Sequence, residues 1–504
     1  MDRAQKLKLS TISNLLSKIV VMISGIILPR LILVQYGSEV NGLVSSIAQF
    51  VSVITFLDSG VGSVVQSALY RPLAKNNAQQ ISEVLKSARN YFRKIAYVLI
   101  LYVILLVIFY PKIVNANSLD YLSTAMLIIA ISISTFAQYY FGLVNELLLN
   151  ADQKGYIQAS SEILVVVLNT IASVVFISLG FSIESVKLFS GLIILIRPLY
   201  LAFYIRKNYN IDYNIELRHD PLPQKWSGMS QHVAHTINNN SDIVVLTLLS
   251  TLQNVSIYSV YKMVVNAIYL VISSFSTSLQ SYFGNFIGNE EYKSLDRSFS
   301  FIEWALHTAV TYLYGLTAVL IVPFVLLYTK GVEDLNYNVP IFAFLLVIAK
   351  MLLSLRTPYQ VLVFSAGHFK QTQISSIIEA TINILFSILL VKWLGLSGVA
   401  IGSILAMLYR TFYLVIYLSK NILKRPINLF LKNLLVDVLV MVLIVTVGLF
   451  LTQFWVIDNF IEWIIVAAIL GLIGLGISLV INLFFYRDHL RYLSKRLYLK
   501  GRNN

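Results

Sequence analysis

The 504-residue sequence contains no cysteine, which excludes disulfide bonds, thiol catalysis and thiolate metal sites. It is also poor in charge, because 12% of its residues are charged, whereas soluble domains have about 25%. Among its six histidines, His232 and His235 form an H-x-x-H pattern that lacks the glutamate and the i,i+4 spacing of a zinc protease. No nucleotide-binding motif is present. We therefore expect no metal, no cofactor, no direct use of ATP and no catalytic residue.

Hydrophobic side chains are abundant: they make up 57% of the residues, and the mean hydropathy is +0.76. This composition predicts an all-α, polytopic membrane protein. The basic segment 1–9 precedes an apolar run without a small-residue cleavage site, so we expect that run to remain as the first span. Apolar runs of transmembrane length predict fourteen spans, at 10–34, 41–66, 95–112, 120–145, 156–179, 184–206, 228–250, 255–284, 299–328, 338–365, 372–393, 396–419, 432–452 and 459–485.

Lysine and arginine concentrate on one side of this arrangement. The termini and the connections after even-numbered spans hold about 27 of them, and the opposite connections hold only Lys112, Lys330 and Lys392. The positive-inside rule therefore predicts that both termini are cytoplasmic. The net charge of +14 is explained by this topology, and no nucleic-acid partner is expected.

A short amphipathic stretch lies between spans two and three. Ile81, Leu85 and Phe92 fall on one helical face, and Lys86 and Arg89 fall on the other. This pattern predicts an interfacial helix on the cytoplasmic leaflet, anchored to anionic lipid.

Two distant segments repeat the same order of landmarks. Glu162 and Arg197 mark two apolar runs separated by a Leu-Gly break, and Glu379 and Arg410 mark the same features 217 and 213 positions later. A repeat of this length predicts two homologous six-helix lobes around a central cavity. The predicted divisions are an N-terminal lobe (1–207), a cytoplasmic linker (208–227), a C-terminal lobe (228–420) and an additional helix pair with a basic cytoplasmic tail (421–504).

Charges inside a membrane are costly and persist where they pair or face water. Matching depths in helical hairpins predict structural ion pairs, namely Lys18–Asp58, Asp242–Lys262, Arg356–Glu379, Glu162–Arg197 and Glu379–Arg410. Lys350 is expected near mid-membrane, where depth matching in the sequence assigns it to no acidic residue, and Arg30 is expected toward the outer end of span one beside Pro29. The sequence leaves open which of these charges line a cavity and which form structural pairs.

Polar residues follow one face of three spans at intervals of three and four, interrupted in span two by Phe56. A single stripe of this kind is typical of helix packing. Three stripes on symmetry-related spans, with charges among them, favour a water-filled cavity. The stripes are Ser45, Gln49, Ser52, Ser59, Ser63 and Gln66 in span two, His232, His235, Asn239 and Asp242 in span seven, and Lys262, Asn266, Tyr269 and Ser273 in span eight.

Three short motifs carry a family resemblance. The stretches Ser13-Asn14-Leu15-Leu16 to Leu28-Pro29-Arg30, Tyr36-Gly37 to Asn41-Gly42, and Asp58-Ser59-Gly60-Val61-Gly62 resemble those of the bacterial lipid-linked oligosaccharide flippases. These are the Wzx-type transporters of the multidrug/oligosaccharidyl-lipid/polysaccharide exporter superfamily. The resemblance extends over essentially the whole chain.

The resemblance implies alternating access and a polyprenyl-diphosphate-linked oligosaccharide as substrate, moved from the inner to the outer leaflet for surface polysaccharide assembly. It also implies a bacterial plasma-membrane location, with membrane lipid and polysaccharide polymerase and assembly proteins as partners. A cationic cavity would bind the diphosphate. The implied site comprises the cations Lys18, Arg30, Lys262 and Lys350, the coupling or pairing acids Asp58 and Asp242, and the polar lining residues Gln49, Ser52, His235, Asn239 and Asn266.

Four other functions stay open, and one of them is a non-transport role as a scaffold for a polymer-assembly complex. A lipid II flippase is hardly separated from a capsule-type flippase by this sequence. A drug/cation antiporter of the same superfamily is disfavoured by the basic excess and by the two final spans, since such exporters follow a twelve-span plan. A membrane glycosyltransferase or polymerase is more remote, because the predicted outer loops are too short to carry its chemistry.

Overall fold

The computed structural model describes residues 3–58, 60–114, 119–217, 221 and 229–491. All regular secondary structure in these residues is helical, which confirms the all-α class. A 3₁₀ helix, Val53–Asp58, follows α1, and a π-helical turn, Gln138–Gly142, joins α4 to α5. The α-helices are α1 (Arg3–Ser52), α2 (Val61–Ala74), α3 (Ala78–Val114), α4 (Tyr121–Ala137), α5 (Leu143–Ala151), α6 (Gly155–Ser178), α7 (Ile183–Ile194), α8 (Ile196–Asn208), α9 (Met229–Leu249), α10 (Leu252–Ser273), α11 (Ser276–Gly288), α12 (Tyr292–Tyr328), α13 (Pro340–Leu355), α14 (Thr357–Ser365), α15 (Gln373–Leu394), α16 (Leu396–Asn421), α17 (Asn428–Thr452) and α18 (Phe460–Phe485).

Twelve helical segments in the described residues are long and apolar enough to cross a membrane. The protein is therefore a multi-pass membrane protein, as predicted. The predicted count of fourteen is approximate and differs at two places. Leu9–Asp58 contains most of the predicted spans 10–34 and 41–66, and the described apolar stretch of the predicted span 228–250 is the short Asn240–Leu249.

Helix α1 is divided at Gly37, where φ is 85° and ψ is 174°. Glycine adopts this positive φ without the steric penalty that a Cβ brings. The side chain of Asp334 then binds Ser38, the residue after this glycine. Its Oδ2 accepts from the backbone N–H of Ser38 at 2.7 Å, and its Oδ1 accepts from the Ser38 hydroxyl at 2.8 Å. Residues 3–36 and 38–52 are consequently two helices, and an aspartate from far along the chain caps the second one.

The predicted span 41–66 is interrupted rather than continuous. Helix α1 ends at Ser52, the 3₁₀ helix follows, and α2 begins at Val61 after Gly60, which has a φ of 89°. A 3₁₀ turn advances by a larger angle per residue than an α-turn, so the predicted polar face does not continue past Ser52. Ser63 and Gln66 belong to the separate helix α2, and Ser59 lies outside the described residues.

The amphipathic stretch at 81–93 is the first part of α3, a helix of 37 residues. Its apolar face is covered by protein, since Ile81, Leu85 and Phe92 are buried in the core. Its basic face is covered as well: Lys86 Nζ donates to the carbonyl of Ile215 at 2.5 Å, and the Arg89 guanidinium stands 4.4 Å from the Tyr213 ring centroid. The prediction of an interfacial helix is therefore wrong, because a protein core and a lipid surface select the same pattern.

The chain forms two compact units. The first comprises Met1–Ser259 together with Gly331–Leu335, and the second comprises Val260–Lys330 together with Asn336–Asn504. The first has one large core that draws on α1 to α8 and on Leu252. The second has several smaller clusters, of which one joins α11, α12, α14, α16 and α17. These units are defined by compactness and the predicted lobes by sequence repetition, so the lobe boundaries stay a prediction.

Candidate functional site

Polar side chains line the surface between α1 and the helices α9 and α10 inside the first unit. The Asn41 amide donates to the Ser256 hydroxyl at 2.8 Å, and the hydroxyls of Ser46 and Thr247 lie 2.7 Å apart. All four side chains are buried. This part of the polar face therefore joins helices through hydrogen bonds, which is the packing role that a polar stripe usually has.

Gln49 and Ser52 continue the same face and are only half-buried. The Gln49 amide donates to the Ser52 hydroxyl at 2.8 Å and also to Asn240 Oδ1. The structure thus brings together two predicted lining residues, and it adds Asn240 from α9. The side chains of His235 and Asn239, which the sequence predicts on the same face of α9, lie outside the described residues.

Each predicted coupling acid accepts a hydrogen bond from a tyrosine. The Tyr139 hydroxyl donates to Asp58 Oδ2 at 2.7 Å, and the Tyr258 hydroxyl donates to Asp242 Oδ2 at 2.6 Å. Asp242 is buried, and Asp58 is half-buried. The pairing of these acids with Lys18 and Lys262 stays a prediction.

The predicted cations are exposed or half-buried, whereas Arg356 and Arg410 of the ion pairs are buried. Lys18 is exposed on the first part of α1, and Arg30, which follows Pro29, is half-buried. Lys262 and Asn266 are half-buried on α10, at the spacing that puts them on one face with Tyr269. Lys350 from α13 stands 5.8 Å from the centroid of the Tyr269 ring, within the range of a cation–π contact.

Two charged triads confirm three of the predicted ion pairs. In the first unit, Arg197 lies 3.7 Å from Glu162 and 3.1 Å from Glu146. In the second unit, Glu379 lies 2.5 Å from Arg356 and 3.7 Å from Arg410. Formally, the first triad has one cation and two anions, and the second has one anion and two cations.

The sequence analysis missed Glu146. The reason is its position, one residue beyond the predicted span 120–145, whereas the structure extends that segment to Ala151. Its two oxygens also accept from the amides of Gln138 and Gln158, at 3.1 and 3.2 Å. Gln138 opens the π-helical turn, and such turns are frequent at functional sites. In the sequence, Gln138 and Glu146 stand on either side of the aromatic residues at 139–141, and this pattern is the signal that could have indicated Glu146.

A second group that the sequence analysis missed is a buried relay in the second unit. Arg425, which the charge count assigned to a loop, is buried and lies 2.6 Å from Glu303. The Tyr359 hydroxyl lies 2.5 Å from Glu303 and 3.0 Å from His307 Nε2. His307 Nδ1 lies 2.5 Å from Asp437.

Hydrogen-bond accounting fixes the direction of this relay. Ionised carboxylates only accept, and a phenol has a single proton. The Tyr359 hydroxyl donates to Glu303, and its oxygen also faces His307 Nε2, while His307 Nδ1 contacts Asp437. Each of these buried polar groups therefore has a partner inside the second unit.

Among the described residues, no three histidine, aspartate or glutamate side chains come together as a metal site would require. The charged groups pair with each other, with hydroxyls and with aromatic rings.

Comparison with solved structures shows which proteins share this fold. A structure titled "Lipid II flippase MurJ, inward closed conformation" matches over 96% of this chain and 99% of its own, with a TM-score of 0.68 and 19% identity. An inward-facing multidrug resistance MATE family transporter of the MOP superfamily matches 79% of this chain and 95% of its own, with a TM-score of 0.56 and 15% identity. A MOP superfamily transporter from Pyrococcus furiosus matches 84% of this chain and 98% of its own, with a TM-score of 0.53 and 16% identity.

The similarity expected from the sequence motifs is therefore confirmed at the level of the fold. No family model and no curated protein sequence matches the chain. The flippase match extends over almost the whole of both chains. The MATE match uses almost all of that transporter but leaves about a fifth of this chain unmatched.

Proposed function

We propose that this protein is a flippase that moves a polyprenyl-diphosphate-linked oligosaccharide from the inner to the outer leaflet of a bacterial plasma membrane, by alternating access. The main support is the match to the lipid II flippase fold over 96% of this chain. The flippase match covers almost all of both chains, whereas the MATE match leaves about a fifth of this chain unmatched, and this difference supports the same choice over a drug/cation antiporter. In this proposal both termini are cytoplasmic, and the exported unit serves surface polysaccharide assembly.

The physical problem for such a protein is the diphosphate, which cannot cross about 30 Å of hydrocarbon unaided. Fixed cations in a wet cavity lower that barrier by replacing water. In our proposal Lys18, Arg30, Lys262 and Lys350 supply them, since these residues are exposed or half-buried. The half-buried Arg197 and the buried Arg356 and Arg410 are held by carboxylates and serve the architecture.

Lysine suits a cavity that must release the diphosphate after transport. An ammonium is a hydrated point charge, whereas arginine grips a phosphate with a planar, bidentate fork. The Tyr269 ring beside Lys350 adds an apolar and amphipathic surface on which a sugar can stack. Gln49, Ser52, Asn266, His235 and Asn239 are proposed as the polar lining, and Asp58 and Asp242 as coupling or pairing acids.

A lipid II flippase is the second candidate, because the matching structure carries that name. The two candidates differ in what fails when the protein is removed. Loss of a lipid II flippase stops wall synthesis and lyses the cell, whereas loss of a surface-polysaccharide flippase removes only the polymer. Controlled depletion in the native host, followed by microscopy and polymer staining, separates the two.

The test of the flippase proposal uses cells whose only copy carries Lys262→Ala or Lys350→Ala. We expect lost surface polymer together with accumulation of the lipid-linked intermediate on the cytoplasmic side, at unchanged protein level. Lys392→Ala, on an opposite connection, is the matched control. Normal polymer from both well-expressed variants would refute the cationic path. Incorporation of labelled sugar by the purified protein alone would favour the polymerase.

A further inference from the structure

A pocket of about 210 Å³ lies at one end of the second unit, where α17 begins and α18 ends. Its wall combines three cations with two carboxylates, and Glu303 is already paired with Arg425. The pocket lies outside the set of predicted transport residues. Its charged lining residues are Glu303, Arg425, Lys432, Arg487 and Asp488.

Arg425 is the unusual member of this wall. Its Nη2 binds Glu303, and its Nη1 is buried without a hydrogen-bond partner. The side chain is 6% exposed. An unpartnered guanidinium N–H in a buried position costs free energy unless an acceptor reaches it. Arg425 also lines the pocket, and guanidinium groups prefer phosphate and carboxylate oxygens.

An apolar groove of about 490 Å³ starts at the mouth of this pocket. Lys432 and Phe485 line both spaces. Lys432 stands at the junction, where its Nζ donates to the Phe485 carbonyl at 3.1 Å. The groove follows Leu431, Leu435 and Leu439, which are four residues apart on α17 and all exposed. These leucines present one apolar stripe about 12 Å long.

We propose that this pocket and groove together bind an anionic glycerophospholipid as a resident ligand, separate from the transported substrate. The phosphate of the headgroup lies beside Arg425, Lys432 and Arg487. One acyl chain lies along the leucine stripe. In the orientation proposed above, the pocket faces the cytoplasmic leaflet, whose anionic lipids are attracted to such basic groups.

The chemical class of the bound ligand follows from the combination of the charged pocket and the apolar groove. Free phosphate fits the cations but makes no use of the groove. A zwitterionic lipid fits the groove, but its headgroup adds a cation to a wall that already has an excess of cations. An anionic headgroup with a long acyl chain satisfies both.

The experiment is native mass spectrometry of the purified full-length protein, titrated separately with phosphatidylglycerol, phosphatidylcholine, a polyprenyl phosphate and inorganic phosphate. We expect one saturable phosphatidylglycerol, bound at least about tenfold more tightly than phosphatidylcholine. The double variant Lys432→Glu/Arg487→Glu should lose that preference. The double variant Lys392→Glu/Lys420→Glu, with the same change in net charge, should keep it.

The groove is tested separately with Leu435→Trp, which fills it. Leu472→Trp is the control, because Leu472 on α18 is 73% exposed, close to the 71% of Leu435, and does not line the groove. We expect weaker phosphatidylglycerol binding only for Leu435→Trp. Equal binding of both phospholipids, equal loss in both charge variants, or tighter binding of inorganic phosphate or polyprenyl phosphate would overturn the proposal. None of these results depends on transport.

Discussion

Glu162 in α6 lies 3.7 Å from Arg197 in α8, and the sequence repeat places Glu379 and Arg410 at the corresponding positions, where the same distance is again 3.7 Å. The third member differs, since Glu146 joins the first pair and Arg356 joins the second. Both halves therefore contain the same Glu–Arg ion pair, but the third charged residue is a glutamate in the first half and an arginine in the second. Removal of the central residue should have different consequences in each half.

Glu379→Gln should prevent accumulation of folded protein. It leaves Arg356 and Arg410 buried without a counter-ion, and breaking a buried pair costs about 3–5 kcal/mol. Acidification should not rescue this variant, because arginine stays charged at any accessible pH. Fluorescence-detected size exclusion reports the folded fraction, and Glu333→Gln on an exposed loop is the control.

Arg197→Met should be partly rescued as the pH is lowered. It leaves Glu146 and Glu162 together, and carboxylates can be neutralised by protons, unlike guanidinium groups. We expect the melting temperature of this variant to rise relative to the wild type between pH 8 and about pH 5. A melting difference that is independent of pH would contradict this explanation.

Tyr359→Phe should destabilise the second unit by about 1–3 kcal/mol, because His307 Nε2 and one Glu303 bond lose their shared partner. Thermal unfolding of the purified protein measures this loss. Tyr282→Phe is the control, since Tyr282 is exposed and its hydroxyl makes only a 3.3 Å contact. Equal melting of both variants would mean that the relay contributes nothing to stability.

His489 should make the protein less stable in acid. Burial lowers the pKa of its imidazole, and this outweighs the nearby Asp488 carboxylate, which raises the pKa. Lys432 acts in the same direction as burial, and Glu303 opposes it. The unfolded chain then binds a proton more readily than the folded one, so stability falls as the pH drops below about 6.5. His489→Gln should flatten the dependence of melting temperature on pH in that range, and an unchanged slope would exclude His489 as its source.

Tyr269 should matter for transport through its ring rather than its hydroxyl. Tyr269→Phe keeps the face that Lys350 approaches, whereas Tyr269→Ala removes it. In cells that carry only the variant, we expect near-normal surface polymer with Phe and a severalfold loss with Ala. Similar loss in both would assign the effect to the hydroxyl.

Features set by residue spacing could be predicted from the sequence. The helical class follows from the long apolar runs. The pairs Arg356–Glu379, Glu162–Arg197 and Glu379–Arg410 follow from depth within a hairpin. Partners beyond the apolar runs, such as Glu146 and Arg425, could not be found in this way. A sequence pattern shows that a face is apolar or polar, but whether lipid, water or protein covers it depends on tertiary packing, which is why the face of α3 was misassigned.

Asp334 belongs to the first unit, although the chain before and after the short segment Gly331–Leu335 belongs to the second. The hydrogen-bond partner of Ser38 is therefore synthesised 296 residues after Ser38 itself. During synthesis, the helix at 38–52 enters the membrane with its first backbone amide lacking this bond, and the first unit is finished only after about two-thirds of the nascent chain has emerged. The order of translation and the order of assembly of the first unit thus differ.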